Sequence, residues 1–432
     1  MNPLLLCFSL ALIVAQFALP RRLAFLPLLI AACHTPYNVA LGGQFTAVRL
    51  VLFAGLLRAS TTGSVGWTTR NPLDVLLAVW SGLALLSSFG HDTGTPFVYR
   101  CGLVLNVFGT YLYFRAFVPR ADDFRRLIVT LAWILLPLAV LLAFETATSA
   151  NAYHAIGTRY AEAFVREGRH RAMGPFGNPI LAGTLGAVCF PLFVAIWRRQ
   201  RRPALIGIAS SIVIIITSAS SGPIGTLLLA LGALMLWPWR RSLGTVKLSA
   251  IALIFIVQLF RERSVWYLLA LIDFVGGSTG WHRARLLESA LDHIGEWWLA
   301  GTDYTRHWMP YGLPSVPNHC DLTSYYVHLG VIGGLPLLIA LIWILWRSFN
   351  LIGRKLRQLR AARSKDEFFV WCVGATLFAH TATFFTISYF DQLFVLFYLI
   401  VAAVPALVAM RVTVPAPAAP EAAPPEAIPV GS

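Results

Sequence analysis

The groups able to do chemistry cluster in two polar stretches of an otherwise apolar chain. Residues 149–177 carry Arg159, Arg166, Arg169 and Arg171 with His154 and His170. Residues 274–320 add Arg283, Arg285 and Arg306 with His282, His293, His307 and His319. Guanidinium forks grip phosphate oxygens two at a time, so a diphosphate is the natural ligand for such a set. The competing use for these arginines is lipid headgroups or the acids Glu162, Glu167, Asp292 and Asp303. His319 stands in Pro317-Asn318-His319-Cys320-Asp321-Leu322, ahead of an apolar segment punctuated Gly330-Val331-Ile332-Gly333-Gly334-Leu335. A neutral imidazole where a polar loop meets an apolar helix is placed to accept a proton near pH 7. Asp321 is expected to cap that helix or to hydrogen-bond the ring.

Other chemistries lack their residues. There is no Asp-x-Asp pair, no His-Glu-x-x-His, no Cys/His cluster and no glycine pattern of a nucleotide fold, so no metal site is assigned. The six cysteines scatter mostly through apolar runs, with neither metal spacing nor a disulfide framework. The net charge of +15 lies in short loops and comes with no nucleic-acid motif, so it is read as orienting membrane spans.

The elements that must hold these residues are helices in a bilayer. The chain is 57% hydrophobic and only 12% charged, with mean hydropathy +0.70. Its apolar runs are long rather than alternating, which selects an all-α polytopic membrane protein over a β-barrel. Runs are read at 3–19, 23–40, 44–58, 73–90, 99–118, 125–148, 178–196, 203–219, 222–238, 245–273, 321–346, 367–388 and 390–411, for about 12 transmembrane helices. The first lacks a basic leader and is expected to be retained. Arg198–Arg202, Arg240–Arg241 and the run from Arg347 to Lys365 alternate correctly if all face the cytoplasm. Loops 149–177 and 274–320 then lie on the opposite, periplasmic face. Within the second, Leu286, Leu287, Ala290, Leu291, Ile294, Trp297 and Trp298 recur at helical spacing, an amphipathic helix with tryptophans at headgroup level. Arg49, Glu145 and Asp391 fall in or at the ends of spans, either lining a polar cavity or snorkelling. Residues 1–411 form one transmembrane unit, and 412–432 are a Pro/Ala-rich tail expected to be disordered and cytoplasmic.

Two stretches carry a family resemblance. Arg171-Ala-Met-Gly-Pro-Phe-Gly-Asn178-Pro179 resembles the R-x-x-G-x-F-x-N-P segment of the O-antigen ligase/polymerase superfamily. Asn318-His319-Cys320-Asp321-Leu322 with Gly330-x-x-Gly333 is similar to its H-N-x-x-L…G-x-x-G segment, and Arg283 followed by an amphipathic helix and Gly301 to its R…A-L…G-x-G region. Cys320 stands where Asn or Ser is usual, Leu322 comes one position early, Ile180 replaces a second Asn, and Ser220-Ser221-Gly222 lacks a frequent arginine. The resemblance implies a GT-C-like lipid-linked glycosyltransferase of the bacterial inner membrane with its site facing the periplasm. It implies an undecaprenyl-diphosphate-linked glycan donor, lipid A–core as acceptor, inversion at the anomeric carbon, and no metal or other cofactor. His319 would be the catalytic base. Arg171 and Arg283 would hold the diphosphate, with Arg169, Arg285 and Arg306 as further contributors. Dense basic outer loops favour a ligase, and a chain ending soon after its last span counts against the related oligosaccharyltransferases that modify protein. An O-antigen polymerase and a non-catalytic lipid-linked oligosaccharide transporter are the alternatives.

Overall fold

Helix starts are written locally into this chain. Asn71 opens Pro72–Leu86 with a capping box: its side chain accepts from Leu73 N at 3.0 Å while Asp74 accepts from Asn71 N at 3.0 Å. Asn178 caps Pro179–Ile196, with proline at the first helical position, where no N–H is missed. Ser324, rather than Asp321, caps the long helix Tyr325–Ala361. The computed structural model describes residues 2–37, 39–41, 45–63, 71–91, 96–261, 264–271, 280–313 and 316–411. The disorder expected of 412–432 falls outside them.

The protein is mostly helical, and five helices are long and apolar enough to cross a membrane: Pro72–Gly90, Ala121–Thr148, Pro179–Ile196, Arg240–Leu259 and Tyr325–Ala361. Pro3–Ala18, Ser221–Met235 and Leu393–Val408 are apolar but shorter. These candidate spans mark a multi-pass membrane protein. The expectation of about 12 full-length spans is corrected to five among the described residues. A hydropathy window counts apolar residues whether or not the helix continues through them. The run at 23–40 yields only the nine-residue helix Leu26–His34, and those at 44–58, 203–219 and 367–388 yield Ala47–Thr61, Arg201–Thr217 and Glu367–Thr383. The run at 99–118 becomes two helices joined by a π-turn at Leu105–Gly109, and it includes Arg100 and Arg115. The structure is also not purely α. Two antiparallel hairpins lie in the loops, β1 (Phe164–Arg166) with β2 (Arg169–Arg171), and β3 (Gly312–Leu313) with β4 (Val316–Cys320).

One end of the bundle is laced by ion pairs to Asp366 and Glu367. Asp366 pairs with Arg125 at 2.9 Å and with Arg199 at 2.7 Å. Glu367 pairs with Arg240 at 3.1 Å and with Arg360 at 2.8 Å. Each basic cluster named from sequence therefore supplies a residue to one end. Ala121–Thr148 runs from that end into loop 149–177, Pro179–Ile196 returns to it, and Tyr325–Ala361 begins at the opposite end after the second loop. Leu243–Leu259 buries none of its residues and turns its apolar side chains outward.

The glycine pattern after His319 is a docking device. Tyr325–Ala361 breaks at Gly333 and Gly334, the latter at φ +72°, where an L side chain is strained. A Cβ on Gly334 would stand 2.4 Å from Leu299 O, one on Gly330 2.6 Å from the Trp297 ring, and one on Gly301 2.2 Å from Val331 O. The close approach allows Thr302 N to donate to Val331 O at 2.9 Å and Leu335 N to donate to Trp298 O at 2.8 Å. The amphipathic stretch forms helices Gly280–Asp292 and Ile294–Trp297. It buries Leu286, Leu287, Ala290 and Trp297 in a small core of its own with Trp308 and Cys320, while Leu291, Ile294 and Trp298 stay exposed. Trp297 is thus a packing residue, and only Trp298 of the pair is free to meet headgroups.

Candidate functional site

Arg171 is delivered by a tight hairpin. Glu167 and Gly168 both adopt positive φ, 51° and 73°, as a two-residue turn between twisted strands requires. The chain beyond β2 is then pinned. Ala172 N donates to Thr217 O at 3.0 Å, and the Glu145 carboxylate accepts from Met173 N at 3.0 Å and Gly174 N at 2.9 Å. Asn151 Nδ2 donates to Gly174 O at 3.0 Å. Glu145 therefore neither snorkels nor lines a channel; it clamps the loop that carries Arg171. The Arg171 guanidinium is buried and donates to Ser220 Oγ at 2.6 Å and to Ser218 O at 3.4 Å.

Arg283 enters from helix Gly280–Asp292. It is 9% exposed, and its Nε is buried without a hydrogen-bond partner. No ion pair forms at its guanidinium among the described residues. Its guanidinium lies beside Gly222, where a Cβ would sit 3.6 Å from an Arg283 terminal nitrogen, an ordinary contact.

Arg171 and Arg283 line one cavity of about 370 Å³, together with Arg166, His282, Asn178 and Asp321. Burial lowers the Arg283 pKa from the ordinary arginine value; Asp321 partly restores it, while Arg166 and Arg171 press it further down. Arg171 is lowered by burial and then by Arg166. Three arginines around one carboxylate, Asp321, leave the cavity with an excess of positive charge that favours an anion. Asp321 faces the cavity, and desolvation holds its carboxyl above the usual carboxylate range, with His282 and Arg283 opposing.

His319 belongs to an adjoining cluster. Its Nδ1 lies 3.1 Å from Thr305 Oγ1, not against Asp321, and the same hydroxyl accepts from Cys320 N at 3.2 Å. Asp321 instead meets His282, whose Nε2 is 3.2 Å from the Asp321 carbonyl oxygen. Among the described residues no hydrogen bond forms at His319 Nε2. Burial lowers the His319 pKa below the ordinary imidazole value; Asp303 acts to raise it and His91 to lower it. The ring is therefore neutral at pH 7, with one nitrogen held and one open. His91 Nδ1 lies 2.6 Å from Asp303, and Arg100 donates to Ile332 O at 2.6 Å, so this cluster ties the second loop to the Gly333 break. His319 does not line the arginine cavity itself; Asp321, two residues on, does.

The remaining arginines assigned from sequence are elsewhere. Arg169 faces a separate shallow cavity with His170. Arg285 pairs with Glu288 at 3.0 Å. Arg306 folds back onto Met309 O at 2.7 Å and Pro310 O at 3.2 Å. Arg166, His282 and Asp321 line the cavity without having been assigned to it; the hairpin register, Phe164 opposite Arg171, is the signal that brings Arg166 along. A second cavity of about 260 Å³ is lined by Arg49, Asn106, Tyr325, His328 and Tyr389, and shares Phe390 with the first. Arg49 thus does line a polar cavity, donating to Asn106 Oδ1 at 3.1 Å. Asp391 is fully buried at a helix start, accepting from Leu393 N at 3.0 Å. No protein-family model matches this chain, and no curated protein matches it.

Proposed function

We propose that this protein is a lipid-linked glycosyltransferase, an O-antigen ligase that moves an undecaprenyl-diphosphate-linked polysaccharide onto lipid A–core at the periplasmic face of the bacterial inner membrane. The observation that carries the proposal is the buried, unpaired Arg283 guanidinium sharing a cavity with Arg171 and Arg166. With one carboxylate, Asp321, beside three arginines, the lining keeps an excess of positive charge, and a diphosphate meets it in the bidentate geometry a guanidinium prefers. The cavity also lies within the roughly 300–1,000 Å³ usual for small-molecule sites.

In this reading Arg171 and Arg283 hold the donor diphosphate, with Arg166 beside them, and their charge stabilises the departing undecaprenyl diphosphate. Arg169, Arg285 and Arg306 are left out, since each has another setting. The acceptor hydroxyl oxygen bonds to the anomeric carbon as the bond from that carbon to the diphosphate oxygen breaks. The hydroxyl proton passes to His319 Nε2. One displacement inverts the anomeric carbon, and the arginines supply the stabilising charge. The polyprenyl tail lies along the apolar outer surface of the spans.

The test is reconstitution. Purified protein in liposomes receives lipid-linked glycan together with lipid A–core, and the products are separated by mass. Glycosylated lipid A–core is the expected result. Elongated lipid-linked glycan instead would make the protein a polymerase. Translocation of intact donor without a covalent product would make it a transporter.

A further inference from the structure

Away from the arginine cavity, three side chains able to bind a metal meet on the surface of the second loop. His293, Glu296 and His307 bring their ligand atoms within 4.8 Å of one another. His307 Nε2 lies 3.0 Å from Glu296 Oε1. Two ligands of one tetrahedral zinc, each about 2.0–2.1 Å from the ion, lie about 3.3 Å apart, so this pair already has the required spacing. The surroundings are those of a ligand set. His293 Nδ1 donates to Ser289 O at 2.8 Å, which fixes its tautomer and leaves Nε2 with an open lone pair. The second Glu296 oxygen accepts from Trp308 Nε1 at 3.0 Å, orienting the carboxylate. Trp308 stacks on His293 with ring centroids 5.8 Å apart, and Tyr304 stacks on His307 at 5.3 Å.

We propose that His293, Glu296 and His307 bind one zinc-class divalent ion, with water in the fourth position, and that this ion staples the two halves of the second loop together. Two imidazoles and one carboxylate suit zinc or cobalt and disfavour magnesium and calcium, which want oxygen ligands. The ion joins helix Ile294–Trp297 to the turn Arg306–Trp308, which follows Thr305, the partner of His319. Its task is to hold Thr305 in place; it stands apart from the arginine cavity and takes no part in bond-making there. The spacing, three residues and then eleven, matches no standard motif, which is why the sequence did not disclose it.

The test uses the tag-free full chain in lipid nanodiscs, stripped with a chelator and titrated with zinc alone. One equivalent should bind at micromolar zinc or tighter, and cobalt should give a visible spectrum of low-coordinate form. His307→Ala and His293→Ala should weaken zinc at least 100-fold, and Trp308→Phe about 10–100-fold. Glu296→Gln retains an acceptor for Trp308 and a donor for His307, so it keeps the fold while losing the anionic ligand. Zinc binding by Glu296→Gln as tight as by the parent chain, or no stoichiometric zinc on the parent, would overturn the proposal. A readout independent of substitution is chemical modification of histidines in the parent chain. Zinc should protect His293 and His307 and leave His154 reactive, and equal modification with and without zinc would count against the site. None of these readouts depends on glycan transfer.

Discussion

Arg283 should be more valuable to function than to folding, and replacing it with methionine separates the two. The side chain is 9% exposed, its Nε has no partner among the described residues, and the pull of Asp321 is opposed by Arg166 and Arg171. Removing a buried charge normally breaks a pair; among the described residues Arg283 forms no ion pair to break. Replacing buried charges with apolar residues of similar volume is often neutral or stabilising, by about 1–4 kcal/mol. Arg283→Met in the ligand-free protein is expected near the low end of that range, about 0–2 kcal/mol more stable, because the cavity admits some water. Transfer should fall about 100–1,000-fold, the usual loss when one donor to a developing anion is removed. The assay is thermal unfolding in nanodiscs, run with and without inorganic pyrophosphate as a soluble mimic of the donor headgroup. Pyrophosphate at 100 times its dissociation constant should stabilise the parent chain by about 2.7 kcal/mol and leave Arg283→Met unmoved. A ligand-free Arg283→Met destabilised by about 2 kcal/mol or more would refute the reasoning, because the guanidinium would then be a structural partner that the fold requires.

Further expectations follow from the same geometry. Arg171→Lys cannot reproduce the fork that reaches Ser220 and Ser218, so it should rescue poorly, and recovery of full transfer would argue against bidentate gripping. The His319 pKa is lowered from 6.5 by burial, so the basic form persists at neutral pH; kcat/KM should be flat above about pH 6.5 and fall below it with a midpoint under that value. Asp303→Asn removes a charge that raises the His319 pKa, so the acid limb should move to still lower pH; movement upward would contradict the assignment. Gly334→Ala forces an L side chain at φ +72° and sets a Cβ 2.4 Å from Leu299 O. It should cost about 2–5 kcal/mol and raise hydrogen exchange across 300–320, whereas unchanged exchange would mean the glycine break does not hold the loop.

Much of the site was legible because it depends on residue types that are out of place in a membrane chain. Arg171 and Arg283 stood out as cations in loops where cations are disfavoured, and they do share a cavity. Gly330, Gly333 and Gly334 stood out in the sequence only as punctuation of an apolar segment; the close approach of Trp297 to Gly330 and of Leu299 to Gly334 emerges in the fold. Arg169, Arg285 and Arg306 resemble Arg171 and Arg283 in composition; in the fold Arg285 meets Glu288, Arg306 folds back onto Met309 O, and Arg169 faces a different cavity. The span count failed for a different reason. Hydropathy averaged over a window does not register where a helix stops, and Leu26–His34 stops at Thr35-Pro36 inside a run that is apolar on average. The hairpin β3–β4 was invisible because its strands are short and carry His319 and Cys320 rather than an alternating apolar pattern.

The most direct measurement is single-turnover transfer in proteoliposomes preloaded with lipid-linked glycan and lipid A–core, comparing the parent chain with His319→Ala while donor binding is measured in parallel. The account predicts that His319→Ala retains the donor with unchanged affinity and forms no glycosylated lipid A–core. Product accumulating at the parent rate without the imidazole would contradict it.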